Sequence, residues 1–245
     1  MKNKMMNSAL GRGWLVLGAC VLLGGAALAA ADPWAELPAG QRPAPGTPVL
    51  DGAWLITRPV AELKTIDGKA PPLLPAAKAE YDKRKAALKA DPKTDPVTNC
   101  WMHGLPRLLY APYPVLIAQD KDRINFVHEV NHTFRVVSLT RKLPNPADED
   151  PTWNGYSVGR WEGKALVIDT VGFNDKTWLD YSGLPHGTKL KVQERYTLKT
   201  PTTLEGVVTI TDPDTYSAPW STKFTWVKQA NYQPKEMVCV SDHKM

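Results

Sequence analysis

His128, Glu129 and His132 stand in the order H-E-x-x-H ("HEVNH", 128–132). In that pattern two histidines one helical turn apart hold zinc and the glutamate activates water. The chemistry needs a helix, because a rise of about 1.5 Å per residue puts positions i and i+4 on one face, within reach of one ion. The flanking residues argue for a strand. Ile124, Phe126, His128, Val130, His132, Phe134 and Val136 alternate with Asn125, Val127, Glu129, Asn131, Thr133 and Arg135, a period of two. On an unbroken strand the two imidazoles share a face but lie about 13 Å apart, and ligand bonds of about 2 Å cannot span that distance. A hairpin at Asn131 would move His132 without restoring the helical motif. A zinc-dependent hydrolase is the remote reading, and no metal is expected.

A second set of residues has the composition of an acid/base site. His132 and Arg135 belong to the strand just described, and Asp175 and His186 to "VGFNDKTWLDYSGLPH" (171–186). An imidazole beside a carboxylate makes a proton-transfer group near neutral pH, and an arginine can steady developing negative charge. The catalytic reading is a lyase or isomerase step without a cofactor. His132 or His186 shuttles the proton, Asp175 orients it and Arg135 stabilises the anion. The competing reading makes each histidine a structural hydrogen-bonding group and the protein a non-catalytic carrier or envelope-interaction protein. Trp153, Tyr156, Trp178 and Tyr181 flank the longest irregular stretches, 140–155 and 172–188. With His128 they are candidates to line a pocket for a small aromatic or apolar molecule. No Gly-rich phosphate cradle, G-x-S-x-G elbow or Cys-x-x-Cys pair occurs, so no cofactor is expected.

These residues need a frame. From Cys100 onward, β-branched and aromatic runs alternate with short turns: "PVLIAQ" (114–119), "RINFVHEV" (123–130), "TFRVVSL" (133–139), "YSVGRW" (156–161), "ALVIDTV" (165–171), "KLKVQERYTL" (189–198), "TLEGVVTITD" (203–212), "STKFTWVKQ" (221–229) and "EMVCV" (236–240). Short links imply antiparallel neighbours. The expectation is a mainly β domain over 100–245, an antiparallel meander closing into a barrel, with a β-sandwich as alternative. Residues 32–99, rich in Pro, Ala and Lys, read as an extended arm carrying one short helix at 76–90, between Pro75 and Asp91-Pro92.

Residues 1–31 read as an export leader. Lys2, Lys4 and Arg12 precede an apolar run and the small residues "ALAAAD", with cleavage expected after Ala29 or Ala31. A lipoprotein-type site at Cys20 is the alternative. The leader carries three cations and no acid, so the formal +5 falls to +2 beyond it. That balance offers nucleic acid no partner, and no later stretch is apolar enough for a membrane helix. Cys100 and Cys239 remain, an even pair expected to form a disulfide in an oxidising compartment. The protein is therefore expected in the periplasm or outside the cell.

"DPTWNGYSVGRWEGKALVIDTVGFNDKTWLDYSGLPH" (150–186), with "VQERY" (192–196), "TNCWMHGLPR" (98–107) and "NHTFRVV" (131–137), resembles a broad family of exported, largely uncharacterised bacterial proteins with a lipocalin-like β-rich core. The similarity runs from "LPAAKAEYDK" (74–83) to "EMVCV". It implies a lipocalin-like barrel but no particular reaction. The family commonly has an aromatic where this chain has His128, and "PHSE" where this chain has "PHGT" (185–188), so neither H-E-x-x-H nor a carboxylate after His186 is implied to be shared.

Overall fold

The computed structural model describes residues 43–237 and Cys239; the expected leader lies outside them. Nine strands close into a barrel in chain order. They are β1 (Gly52–Ile56), β2 (Val115–Gln119), β3 (Arg123–His128), β4 (Thr133–Ser138), β5 (Tyr156–Glu162), β6 (Ala165–Val171), β7 (Lys191–Thr200), β8 (Thr203–Thr211) and β9 (Trp220–Gln229). The helix, α1, covers Pro75–Ala90. Period-two burial runs along most strands, as in β8, where Leu204, Gly206, Val208 and Ile210 turn inward.

Three features differ from the sequence expectation. The stretch read as a strandless arm supplies β1, which closes the barrel by pairing with both β2 and β9. Its five residues "GAWLI" bury Trp54 and Ile56, too short a signal to stand out among the surrounding prolines. At the other terminus Glu236, Met237 and Cys239 form no strand. The meander also breaks once. β4 and β5 run parallel and share only Val137↔Ser157 and Ser138↔Val158, because residues 139–155 travel the length of the wall before β5 begins.

The lumen is packed with side chains. A 3-10 turn, Arg107–Tyr110, lies against it, with the Leu109 carbonyl accepting a hydrogen bond from the Trp226 indole at 3.2 Å. Phe126, Tyr196, Phe224 and Trp226 form a chain of ring contacts with centroids 4.7–5.9 Å apart, the spacing aromatic pairs favour. These rings fill the interior as core.

One end of the barrel is closed by tight hairpins. The other, where β3 ends and β4 begins, is covered by residues 57–114, 172–190 and 212–219. The buried Asp180 carboxylate ties the first two of these covers together, accepting backbone N–H groups from Leu63 (2.9 Å), Ser182 (2.9 Å) and Leu184 (3.0 Å).

Candidate functional site

"HEVNH" is neither a helix nor an unbroken strand. β3 ends at His128 and β4 starts at Thr133, with His128 and Thr133 paired across a four-residue loop. Asn131 and His132 adopt left-handed backbone, φ 56° and 46°, a region that Asn tolerates better than most residues. The loop reverses the parity of the pattern. His128 faces the lumen from β3, but on β4 it is Thr133, Arg135 and Val137 that are buried, while Phe134 is 73% exposed. The two histidines therefore part company, one inside the wall and one outside it, and no metal could join them.

The outer members of the motif hold the chain's C-terminal segment. Glu129 accepts hydrogen bonds from the Tyr232 hydroxyl and, at 3.0 Å, from the Lys235 N–H. His132 Nε2 accepts the Met237 N–H at 2.9 Å. Two residues on, Cys239 is bonded to Cys100, with Cα atoms 5.6 Å apart. The expected disulfide thus pins a strap across the hairpin.

Arg135, expected to meet an anion, is already matched. Its guanidinium donates to both Glu194 carboxylate oxygens (2.9 and 2.7 Å), to Ser157 Oγ (2.9 Å) and to Thr170 Oγ1 (3.0 Å), and the Tyr196 hydroxyl completes the carboxylate at 2.6 Å. Burial works to lower the Arg135 pKa, but the charge and hydrogen bonds of Glu194 outweigh it and raise the value. Arg160, which could have paired with Glu194 across strands, instead binds Glu162 and Asp169. Beside the network, His128 is pushed down to about 3 by burial, then by the charges of Arg135 and His103, and its Nε2 has no hydrogen-bond partner.

His186 lies buried in the end cover. Its Nδ1 is 3.1 Å from the Gly187 carbonyl oxygen and its Nε2 has no partner. Burial lowers its pKa. Asp175 is exposed and reaches it only through its charge. The four acid/base candidates thus occupy the outer surface, the lumen and the end cover, and do not form one site. Among the described residues, no three His, Cys, Asp or Glu side chains converge as a metal site.

The aromatic candidates also separate. Trp153 packs edge-on against Trp101 at 5.5 Å. Trp178 is buried between the guanidinium groups of Arg84 and Arg107, 5.6 and 5.9 Å from its ring. Tyr156 lines a shallow cleft of about 520 Å³ on the β4–β5 seam, whose rim mixes Arg123, Arg141 and Lys142 with Asp122 and Glu149. Tyr181 alone of the four lines a cleft of about 310 Å³ at the covered end of the barrel.

That second cleft is built from pieces distant in sequence. Val97 comes from the segment before Cys100, Tyr113 from the lead into β2, Val130 from the hairpin, Tyr181 from the 172–188 loop and Met237 from the strap, with His103 among them. The rings of His103 and Tyr181 meet edge to face with centroids 5.9 Å apart. Behind Tyr181 the Arg107 guanidinium stacks at 4.1 Å and is held by Asp95 through bonds of 2.9 and 2.5 Å. Burial, then the charge of Arg107, pushes His103 down to about 4, so its ring is neutral at pH 7. The sequence offers His103 no evident partner near it in the chain; Asn131, which its Nδ1 meets, is 28 residues away.

No family model matches the chain, and the comparison with curated proteins yields no match either.

Proposed function

We propose that this is an exported barrel protein that binds a small, flat, uncharged aromatic or apolar molecule in the cleft between His103, Tyr113, Val130, Tyr181 and Met237, and that it acts as a carrier. The observation that carries the reading is the lining. About 310 Å³ of space is bounded mainly by rings and aliphatic groups, with Thr98 and Asn131 as polar neighbours, and no charged side chain borders it among the described residues. That volume is at the lower end of the range small-molecule sites occupy, and such sites are characteristically apolar with a few placed polar groups. Export is supported by the basic-then-apolar leader of residues 1–31 and by the Cys100–Cys239 bond. Turnover draws no support from the cleft's imidazole, since a group held near 4 is a weak base at neutral pH.

The test is calorimetric titration with neutral bicyclic aromatics, on the wild-type protein and on Val97→Trp, which fills the cleft from a half-buried edge. Saturable binding by the wild type and its loss in the variant are expected. Equal binding by both proteins, or by neither, would sink the reading.

A further inference from the structure

His103 is one of the polar side chains that line that cleft, with Thr98 and Asn131. His103 Nδ1 lies 2.8 Å from Asn131 Oδ1, and an amide oxygen only accepts, so the proton of the neutral ring resides on Nδ1. Nε2 is then the accepting nitrogen of the ring. The tautomer is held in place because Asn131 sits at a fixed left-handed position in the hairpin between β3 and β4. Around this acceptor the surfaces are mainly apolar or aromatic, from Val97, Pro112, Tyr113, Val130, Tyr181 and Met237, with the polar Thr98 and Asn131 also on the lining. A buried acceptor left unmatched by its ligand costs about 1–3 kcal/mol, so a ligand able to donate one hydrogen bond there is preferred over an isostere that cannot.

Charge is excluded from both sides. A carboxylate would meet the Nε2 lone pair, while the nearest guanidinium, Arg107, is already joined to Asp95. An ammonium would find no carboxylate on the lining.

We propose that the ligand is a neutral aromatic carrying a single hydrogen-bond donor, a phenol in chemical class, with its hydroxyl donating to His103 Nε2 and its ring against Tyr113 and Tyr181. The inference rests on the binding reading above, and goes beyond it in naming the class. His103 remains unprotonated across the neutral range because burial and Arg107 hold it near 4, so the acceptor is present at any pH where the phenol is itself neutral.

The test compares 2-naphthol, 2-methoxynaphthalene and 2-naphthoate by calorimetry on the wild-type protein and on His103→Phe, which keeps a ring and removes the acceptor. The expected result is that wild type binds naphthol about ten-fold or more tightly than the methyl ether, a difference of about 1.4 kcal/mol, and that the difference vanishes in His103→Phe. Equal affinity for naphthol and the ether, or a preference for naphthoate, overturns the class while leaving the binding reading standing. If none of the three binds, the binding reading falls and the class with it. Should His103→Phe fail to fold, the imidazole ¹⁵N spectrum of the wild type decides the question. The Nε2 resonance moves on addition of naphthol and stays still with the ether if the proposal holds, and a resonance indifferent to both overturns it.

Discussion

Arg135 and Glu194 face each other from β4 and β7 across the inside of the barrel, joined by two hydrogen bonds with both side chains out of water. Taking two such charges from solvent is costly, and their attraction offsets that cost only because Ser157, Thr170 and Tyr196 satisfy the remaining donors and acceptors. Glu194→Gln leaves the guanidinium buried with one neutral partner and should cost about 3–5 kcal/mol. The double change Arg135→Met with Glu194→Leu should cost much less. Urea unfolding of the three proteins measures both, and a single variant as stable as the wild type would refute the account.

How far the sequence could be read is clearest at this strand. Alternation from Ile124 to Val136 was legible and does reflect β-structure on either side of the motif, although "HEVNH" itself is neither the helix a zinc site needs nor the unbroken strand the pattern predicted. The alternation nevertheless conceals a turn, because a four-residue loop is an even insertion that lets the written pattern continue while the inward face changes from His128 to Thr133 and Arg135. Only the backbone at Asn131 and His132 records it. Strand existence was legible along β2 to β9 because each has its own turn chemistry, as where Asp120 closes on Arg123. β1 was missed because five residues carry little periodicity, and the cleft was missed because its walls come from six separate stretches of chain. Contacts between residues about a hundred positions apart, such as Met237 on His132, leave no local mark.

Gly206 marks the tightest point of the core. It lies opposite Phe224 on β9, and a Cβ there would stand 2.2 Å from the ring. The ring is flanked by Tyr110, Tyr196 and Trp226, so it has nowhere to retreat. Gly206→Ala should destabilise by about 1–3 kcal/mol, the usual range for overpacking. Gly163→Ala, where no atom lies within 4 Å but φ is +60°, meets backbone strain alone. Thermal melts of the two variants, with a crystal structure of the first, would separate the two causes.

The strap should loosen in two steps. Glu129→Ala removes the acceptor shared by Tyr232 and Lys235 but keeps the disulfide. Its expected signature is hydrogen exchange about ten-fold faster at the Lys235 and Met237 amides, the loss of about 1–2 kcal/mol of local protection, with the β7–β8 amides unchanged. Cys239→Ser opens the covalent loop and should lower global stability by about 2–5 kcal/mol. Uniform acceleration throughout the barrel in Glu129→Ala would mean that the strap is part of the core and not a separate layer on it.

Acid should unfold this protein through its histidines. Burial pushes His128 down to about 3 and His103 to about 4, and lowers His186 as well. The unfolded chain takes up protons on these rings near pH 6.5, where the native chain does not. Stability is therefore fully present above pH 6.5 and is lost as the pH falls toward the folded values, by about 1.4 kcal/mol per pH unit for each ring. Urea midpoints measured between pH 7 and 5 should fall steeply over that window. His128→Leu should make the slope shallower by one proton, because it removes the imidazole most deeply enclosed. A midpoint that is flat between pH 7 and 5 would show that the native fold accepts these charges, and the enclosure argued for His128 and His103 would fail together with the neutral acceptor assigned to the cleft.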